Sequence, residues 1–298
     1  MLTITETDFQ RLVRFVKQNY GIDLSKKKQL ILGRLSNTIL SMGFPSFQAY
    51  VDHLIRNQKP EDLELMLNKL TTNYTYFMRE ESHFEFFTDV ILPYLLRTKK
   101  DRVLSIWSAG CASGEEPYTI SMILKEYLGS KASMWDTRVL ATDISQNALK
   151  AAANAVYDET SLRNLPAGWK SKYFRSAGSP GLYTVSPEIK SNVIFRTFNL
   201  MDPIRFRLKF DVIFCRNVMI YFDQETKNSL VNRFYNATNP GGYLLIGHSE
   251  SLNKKVRLTN ISDLQLTGKS NPKNPVSSCH TVFLNFQRKC GILFSYLD

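Results

Sequence analysis

The stretch from Leu104 to Tyr118, L-S-I-W-S-A-G-C-A-S-G-E-E-P-Y, constrains the fold of this chain more than any other feature. It opens with a short apolar run, continues through small residues that include Gly110 and Gly114, and ends near Pro117, which suits the first turn of a helix. The pattern predicts a strand, a tight loop and a helix. In an open parallel sheet this junction lies at the carboxyl end of the first strand, where nucleotide-like ligands bind.

The same stretch narrows the class of ligand. The dinucleotide fingerprint G-x-G-x-x-G is absent, and the carboxylates of Glu115 and Glu116 at the loop exit would repel a pyrophosphate. A ligand that carries hydroxyl groups or an ammonium group fits these acids better. An ordinary structural turn is the alternative interpretation.

Charge and cysteine content limit the partners and the compartment. The chain has 298 residues, enough for two domains, and its formal charge of +11 favours an acidic partner, which is nucleic acid, an anionic membrane surface or an acidic protein. The amino-terminal segment lacks a signal-peptide pattern, and a soluble cytoplasmic protein is expected. Neither a zinc site nor a disulfide framework is indicated by the scattered cysteines Cys111, Cys215, Cys279 and Cys290.

The amino-terminal quarter has the apolar spacing of a small helical bundle. Four helices are predicted, with starts at Thr5, Ser25, Ser46 and Pro60. The second helix would open with three lysines, which oppose the helix macrodipole at a cost of a few tenths of a kcal/mol each. A basic docking face for an acidic partner explains that cost, and a solvated surface is the alternative, for Lys26, Lys27, Lys28 and Arg34.

The junction T-T-N-Y-T-Y-F-M-R-E-E-S-H-F, residues 71–84, is polar and aromatic and has neither clear helical nor strand periodicity. A linker of this composition can fold back over the crevice. It would then present the amide of Asn73, the hydroxyl of Thr75 and the guanidinium of Arg79 to a ligand. A solvated surface charge is the alternative for Arg79.

The remainder alternates strands and helices, which predicts a doubly wound α/β domain. A strand ends at Asp143, where the carboxylate can accept hydrogen bonds from ribose hydroxyls, cap the helix Gln146 to Asn154, or do both. Later strands lead to Asn199 and Leu200 and to C-R-N-V-M-I-Y-F, and a helix from Gln224 to Ala237 is closed by residues 239–242. Two short runs around a Gly/Pro turn within 157–191 predict a hairpin.

Four stretches together resemble the CheR family, the chemotaxis receptor methyltransferases that transfer a methyl group from S-adenosylmethionine to receptor glutamates. They are T-T-N-Y-T-Y-F-M-R-E (71–80), W-S-A-G-C-A-S-G-E-E-P-Y (107–118), A-T-D-I (141–144) and F-C-R-N-V-M-I-Y-F (214–222). The resemblance implies a Rossmann-like class I methyltransferase domain, an all-α amino-terminal domain and a small β subdomain. The implied boundaries are 1–72 for the helical receptor-docking domain, 73–86 for a linker that contributes to the cofactor site, and 87–298 for the methyltransferase domain with its β insertion at 157–192.

The resemblance also implies the site. Residues implied to contact the cofactor, or its product S-adenosylhomocysteine, are Asn73, Thr75, Arg79, Gly110, Glu116, Asp143, Asn199, Leu200, Arg216 and Asn217. Arg79 and Tyr221 are implied to act in the transfer itself. The basic second helix is implied to dock the cytoplasmic methylation region of methyl-accepting chemotaxis receptors, and in some members the β subdomain binds a receptor's C-terminal pentapeptide. A monomer that meets the membrane only through its receptors is expected, with no metal and no nucleic-acid partner.

No catalytic base is expected, because a glutamate acceptor with a pKa of about 4.3 is already ionised at neutral pH. His248 is expected to be structural. A nucleic-acid or other protein methyltransferase and a signalling adaptor without activity are the alternatives to receptor methylation. After Leu252 the chain departs from the family, and the atypical region 253–298 is expected to contain a final strand, Thr281 to Phe286.

Overall fold

The computed structural model describes residues 2–250 and the strands 281–286 and 292–297. An amino-terminal bundle packs on an α/β domain, and side chains of both contribute to one buried cluster. The bundle consists of α1 (Glu6–Tyr20), α2 (Lys28–Ser41), α3 (Phe47–Asn57) and α4 (Pro60–Leu70).

Local signals fix three of these helices as predicted. The hydroxyl of Thr5 accepts a hydrogen bond from Asp8 N at 3.1 Å, and Ser46 accepts one from Ala49 N at 3.2 Å. Gly21 ends α1 in the left-handed conformation, with φ 73°. Pro60 occupies the first turn of α4.

The predicted start of the second helix at Ser25 is wrong. Ser25 and Lys26 form a turn in which Ser25 N donates to Asp23 Oδ1 at 3.0 Å, and α2 begins at Lys28. The side chain of Asp23 thus supplies an acceptor that competes with helix formation. Lys26 therefore precedes the helix, Lys27 is its N-cap, and Lys28 alone of the three lies within it.

The segment between the two domains is irregular only as far as Glu80. Helix α5 (Glu81–Phe86) follows, and a π-helical turn (Phe87–Ile91) joins it to α6 (Leu92–Thr98). The last part of the predicted 73–86 linker is therefore helical and belongs to the α/β side of the molecule.

The described strands of the central sheet are β1 (Ile106–Ala109), β2 (Val139–Asp143), β6 (Val193–Thr197), β7 (Phe210–Cys215), β8 (Thr238–Ile246), β9 (Thr281–Phe286) and β10 (Ile292–Leu297). Their order in space is β10-β9-β8-β7-β1-β2-β6. The strands from β6 to β8 along this order are parallel, whereas β9 pairs antiparallel with β8, and β10 pairs antiparallel with β9 at the edge.

Helices cross over between the parallel strands, as α/β periodicity predicts. They are α7 (Glu115–Leu128), α8 (Gln146–Asn154) and α12 (Gln224–Ala237). Strand β1 lies between β7 and β2, so the direction of winding reverses there. A ligand crevice is expected beyond the carboxyl ends of strands at such a reversal.

A smaller antiparallel sheet, in the order β3-β5-β4, is inserted between β2 and β6. The predicted hairpin is confirmed as the antiparallel pair β4 and β5. This subdomain contains β3 (Val156–Asp158), α9 (Glu159–Leu162), α10 (Trp169–Tyr173), β4 (Phe174–Ser176), β5 (Leu182–Val185) and α11 (Pro187–Ser191).

Two differences from prediction concern the last strands of the chain. Strand β8 starts at Thr238, so residues 239–242, predicted as a turn, lie within it. Gly242 permits this path, because a Cβ there would lie 2.8 Å from the carbonyl oxygen of Asp211. The predicted final strand Thr281–Phe286 is confirmed, β10 is an addition, and the long connection at 253–280 lies outside the described residues.

Candidate functional site

A cavity lies at the carboxyl ends of β1, β2 and β7, with the bundle and the interdomain segment on its other side. Every residue that the sequence implied for the cofactor or the transfer lines it: Asn73, Thr75, Arg79, Gly110, Glu116, Asp143, Asn199, Leu200, Arg216, Asn217 and Tyr221. Residues separated by more than a hundred positions in the chain thus meet at one end of the sheet.

The loop after β1 is shaped by glycines in the left-handed region. Gly110 has φ 90°, and a Cβ there would lie 2.4 Å from Cγ2 of Val218. Gly114 has φ 97°, and its Cβ would lie 2.9 Å from that of Ala152. A larger residue at either position would strain the backbone and push the loop away from its neighbours.

Asp143 holds this loop in place from the end of β2. Its carboxylate accepts hydrogen bonds from Ala112 N at 2.8 Å and from Ser145 N at 2.9 Å. Burial raises the pKa of Asp143, while these backbone donors act in the opposite direction. The expectation that Asp143 caps α8 is wrong, because the cap is the hydroxyl of Ser145, which accepts from Ala148 N.

The two glutamates that open α7 have different surroundings. Glu116 lines the cavity, where its carboxylate accepts from Ser108 Oγ at 2.7 Å and from Arg216 Nη1 at 2.9 Å. Glu115 is buried away from the cavity against the hydroxyl of Ser113, and burial raises its pKa. Only one of the two predicted acids therefore faces a ligand.

Arg216, directly after β7, is the buried cation of the site. Its guanidinium pairs with Glu116 and, at 3.3 Å, with Glu80, and it lies 5.0 Å from the ring centre of Phe84. It also donates a hydrogen bond to the backbone carbonyl of Arg79. Two carboxylates thus neutralise a side chain that would otherwise be costly to bury.

Arg79 is the second cation of the cavity and has a different environment. Its guanidinium donates to the carbonyl of Tyr74 at 2.7 Å and is partly exposed. Among the ion pairs of the described residues, none includes Arg79. Its charge is therefore available to a carboxylate that enters the cavity.

Asn217 and Tyr221 lie on the segment that follows β7. Asn217 adopts φ 59°, a left-handed conformation that asparagine tolerates, and its side chain donates to Glu80 at 3.0 Å. A short 3-10 helix (Met219–Tyr221) comes next. The hydroxyl of Tyr221 donates to the carbonyl of Thr72 at 3.3 Å, and its own carbonyl accepts from Asp23 N at 2.8 Å.

Asn199 and Leu200 join the bundle to the α/β domain. The side chain of Asn199 donates to the carbonyl of Asn19 in α1 at 2.8 Å and accepts from Met201 N at 3.0 Å. Leu200 is buried in the cluster that both domains share. These two residues therefore fix the wall of the cavity that the bundle covers.

The predicted docking cations do not form one free basic face. Lys28 pairs with Glu6 at 2.8 Å, and Arg34 donates to the carbonyls of Lys69 and Thr71, each at 3.2 Å. Arg34 thus fixes the end of α4 and the start of the interdomain segment against α2. Lys26 and Lys27 are exposed.

Sequence reasoning missed two acids, Glu80 and Glu250. Glu80 binds Arg216 and Asn217, and its pKa is lowered: burial opposes ionisation, but the charge of Arg216 and the hydrogen bonds from Asn217 and His248 N together outweigh burial. Glu250 is buried and accepts hydrogen bonds from Asn217 N, Ile220 N and Gly247 N. Glu80 is the last residue of the stretch 71–80 that carries the family resemblance, whereas Glu250 lies outside all four stretches.

Glu80, His83 and His248 place their ligand atoms within 4.8 Å of one another, the closest approach to a metal cluster among the described residues. The carboxylate of Glu80 already faces the guanidinium of Arg216, so a metal ion would meet a positive charge there. His248 donates its backbone N–H to Glu80 and its ring contacts Ser82 at 3.2 Å. The absence of a metal requirement stays a prediction.

The buried cysteines of the described region, Cys111 and Cys215, are both free thiols. Burial raises the pKa of each, so neither is a ready nucleophile. No helix in the described part of the chain is both long and apolar enough to span a bilayer.

Comparison with known families agrees with this geometry. The profile described as "CheR methyltransferase, all-alpha domain" matches residues 7–71, and the profile described as "CheR methyltransferase, SAM binding domain" matches residues 73–266. The two matches divide the chain where the bundle meets the interdomain segment.

Individual relatives extend over most of the chain. The chemotaxis protein methyltransferase of Borreliella burgdorferi is 42% identical over 256 residues, which cover 84% of this chain and 90% of that protein. Chemotaxis protein methyltransferase 2 of Vibrio cholerae is 36% identical, with 85% and 88% covered, and the Escherichia coli protein is 35% identical, with 84% and 86% covered. The chain therefore belongs to the CheR family of chemotaxis methyltransferases, and S-adenosylmethionine is its methyl donor.

Proposed function

We propose that this protein methylates glutamate side chains on the cytoplasmic helices of methyl-accepting chemotaxis receptors and forms γ-carboxyl methyl esters. One observation carries the proposal. Among the described residues that line the cavity there is no histidine or lysine, and its acids Glu116 and Asp143 are occupied by hydrogen bonds. A site without a free base suits an acceptor that is already ionised at neutral pH, as a glutamate is.

The cavity fits S-adenosylmethionine by its chemistry. The carboxylates of Asp143 and Glu116 each have lone pairs beyond the two hydrogen bonds that they accept within the protein, and these can accept from hydroxyl and ammonium groups. Arg79 offers a cation for a carboxylate. Phe198 and Ile144 give the cavity an apolar wall. When bound, the cofactor would supply an electrophilic methyl group attached to a sulfonium sulfur. The reaction replaces that carbon–sulfur bond by a carbon–oxygen bond to the acceptor, with S-adenosylhomocysteine as the leaving group and no proton transfer.

The residues of this chain then have three tasks. They would orient the acceptor carboxylate toward the methyl group, exclude water from that carboxylate, and present Tyr221 to the transferring group. Positioning of this kind supplies on the order of 7–11 kcal/mol of the barrier reduction. Arg79 is assigned to carboxylate binding, and Tyr221 to the transferring group.

Several features favour a protein acceptor. The ring of Tyr74, on the cavity wall, is 60% exposed, and Ile220, next to Tyr221, is 43% exposed. Lys26 and Lys27 are exposed in the amino-terminal domain, and the chain's net charge of +11 favours an acidic partner. Receptor docking through these lysines, a cytoplasmic location and a monomeric state are parts of the proposal.

Binding of a receptor's C-terminal peptide by the β subdomain stays a prediction. Strand β4 is an edge strand of the small sheet, so its outer backbone groups are placed to pair with an added strand.

A transfer assay tests the proposal. The purified chain is incubated with S-adenosylmethionine labelled in its methyl group, in parallel reactions that contain a receptor cytoplasmic fragment, RNA or DNA as the acceptor. We expect label on the receptor fragment that is released as methanol by mild alkali, because carboxyl methyl esters are labile to base. Label on nucleic acid, or on protein in an alkali-stable form, would contradict glutamate esterification. Binding of the cofactor without any transfer would indicate a signalling adaptor.

Variants in the same assay test the assigned roles. Arg79→Ala is expected to lower kcat/KM by about 100-fold, as removal of one charged contact to a reacting complex does. Tyr221→Phe keeps the ring and is expected to lower it by only about 2- to 5-fold. The matched control is Arg56→Ala, an exposed arginine on α3 away from the cavity, whose turnover should equal that of the wild type. Unchanged turnover in Arg79→Ala would refute its role.

A further inference from the structure

The segment that carries Arg216, Asn217 and Tyr221 has an unusual anchor. Directly after β7, at the carboxyl end of the sheet, the backbone turns through Asn217 at φ 59° into the 3-10 helix Met219–Tyr221. Short segments of this kind have few hydrogen bonds of their own. Something outside the segment must fix its path.

The carboxylate of Glu250 is that anchor. Oε2 accepts from Gly247 N at 2.6 Å and from Asn217 N at 3.0 Å, and Oε1 accepts from Ile220 N at 3.2 Å. The side chain is 3% exposed and does not line the cavity. Both oxygens of one buried acid therefore serve the backbone of the segment and of the turn beside it.

A second observation shows how closely the two chain segments approach. A Cβ at Gly247 would lie 2.7 Å from Asn217 Nδ2 and 2.8 Å from Asn217 N. Only glycine leaves room for the turn that follows β8 to lie against Asn217. Gly247 and Glu250 thus both contact Asn217, and neither of them lines the cavity.

We propose that Glu250 is a positioning residue for methyl transfer, whose carboxylate fixes the 3-10 helix that carries Tyr221. The inference rests on the proposed function, because the consequence concerns the transferring group. Glu250 touches neither cavity nor ligand, and acts through Ile220 N and Asn217 N. Its removal should affect turnover more than cofactor affinity, since Arg216 and Asn217 keep their separate contacts with Glu80.

Glu250→Gln is the sharpest variant. A glutamine keeps the shape of the side chain but has a single oxygen, so it cannot accept from donors on both sides. The orientation that keeps the two bonds of Oε2 turns its NH2 group toward Ile220 N, where two donors then face each other. The loss is therefore expected at the 3-10 helix.

Asp211→Asn is the matched control. Asp211 is equally buried, lies near the amino end of β7 and thus at the end of that strand remote from residues 217–221, and accepts from Lys99 Nζ, Ser105 N and Asn239 Nδ2. Both substitutions remove one buried negative charge and should lower the free energy of unfolding. Only the Glu250 variant should affect the transfer segment.

Three measurements on the two variants test the inference. Hydrogen exchange of the protein without cofactor should be faster in residues 217–221 for Glu250→Gln and unchanged there for Asp211→Asn. Glu250→Gln should lower kcat by about 10-fold, since small misplacements of reacting groups have effects of this size. Its dissociation constant for S-adenosylhomocysteine, measured by calorimetry, should change by less than about 3-fold.

The outcomes separate the two proposals. If the wild type transfers no methyl group to receptor fragments, the proposed function fails, while the exchange result still reports on the anchor. If the wild type is active and Glu250→Gln matches Asp211→Asn in exchange and in kcat, the positioning role is wrong. Should Glu250→Gln fail to fold, Glu250→Asp keeps the charge on a shorter stem, and turnover equal to that of the wild type with unchanged exchange would likewise overturn the inference.

Discussion

The two ends of strand β7 carry similar charged groups and use them differently. At the amino end, Asp211 pairs with Lys99 at 2.7 Å and accepts from Ser105 N and Asn239, so one acid and one base neutralise each other. At the carboxyl end, Arg216 is shared between Glu80 and Glu116. The first arrangement joins α6 to the sheet, and none of its members lines the cavity.

The carboxyl end differs in charge balance and in backbone. The carboxylates of Glu80, Glu116, Asp143 and Glu250 outnumber the two guanidiniums of Arg79 and Arg216 there. At the amino end the buried acid Asp211 has its own counter-charge in Lys99, which also lies 3.8 Å from the exposed Asp101. Left-handed residues, Gly110 and Asn217, also lie there. Surplus acid and left-handed backbone thus occur together at the end of the sheet where the cavity lies, and an excess of carboxylates favours a positively charged ligand such as a sulfonium cofactor.

The largest expected effect comes from Arg216→Met. Removal of the guanidinium leaves the buried side of Glu80 and Glu116 without a counter-charge, and breaking a buried pair in this way costs about 3–5 kcal/mol. The free energy of unfolding should fall by that amount in urea titrations. Affinity for S-adenosylhomocysteine should be lost at the same time, because Glu116 and Asn217 lie in the cavity.

Lys99→Met is the control at the amino end. The substitution leaves the buried carboxylate of Asp211 without its counter-charge and should lower the free energy of unfolding by a similar amount. Affinity for S-adenosylhomocysteine, measured 20 °C below the Tm of the variant, should stay unchanged. Loss of affinity in Lys99→Met as large as in Arg216→Met would mean that the two ends are not functionally distinct.

The next largest effect is expected for Gly110→Ala, where the cost of a left-handed backbone can be separated from the cost of close packing. Gly43 has φ 82° and an open site, with nothing within 4 Å of an added Cβ, whereas the Cβ at Gly110 would collide with Val218. Gly43→Ala should cost about 1–2 kcal/mol from the left-handed backbone alone. Gly110→Ala should cost about 1–3 kcal/mol more from overpacking, and should also weaken cofactor binding. Equal unfolding free energies for the two variants would show that the loop relaxes freely.

The elements of the fold could be predicted because their signals are local. Capping at Thr5 and Ser46, Pro60 at a helix start and the turn in the β subdomain each depend on neighbours in the sequence. The start of α2 was predicted wrongly because the side chain of Asp23 accepts a hydrogen bond from Ser25 N, which competes with helix formation. Helical periodicity of apolar residues does not report such competition.

The sequence selected residues that line one cavity, but it did not indicate how their side chains would be paired. Motif resemblance selected residues that the fold brings to one cavity, yet it did not indicate that Arg216 would be held by Glu80 and Glu116. The pairing of Arg216 with Glu80 and Glu116, and that of Glu250 with Asn217 N, depend on strand order and on which side chains are buried. Local patterns carry no information about either, and so Glu80 and Glu250 were missed.

A smaller effect is expected at Asp223, which begins α12 just beyond the transfer segment. It caps the helix through Thr226 N and pairs with Lys17 of α1, and this partner lowers the pKa of Asp223 to about 2. Because the folded pKa lies below the unfolded value of about 3.9, the stabilisation is present above pH 4 and is lost as the pH falls through 2.

Asp223→Asn isolates that ion pair, since asparagine caps a helix as well as aspartate does. We expect Tm to fall by roughly 1–4 °C at pH 7 and the difference from the wild type to vanish near pH 2. Cofactor affinity should not change. A pH-independent difference would show that the cap, and not the pair between bundle and domain, is what the substitution alters.

The smallest effect is expected outside the cavity, at Lys26 and Lys27. If these exposed lysines dock an acidic receptor surface, the double variant Lys26→Glu, Lys27→Glu should raise KM for the receptor fragment by about 3- to 10-fold at low salt and less at high salt, because exposed charges are screened. The value of kcat, the affinity for S-adenosylhomocysteine and Tm should stay the same. Lys131→Glu, an exposed lysine in the 3-10 helix Gly129–Met134 that follows α7, makes a single change of the same kind away from the bundle and should leave KM unaltered. If both variants raised KM equally per charge, net charge alone would account for receptor attraction, and the amino-terminal domain would have no privileged docking face.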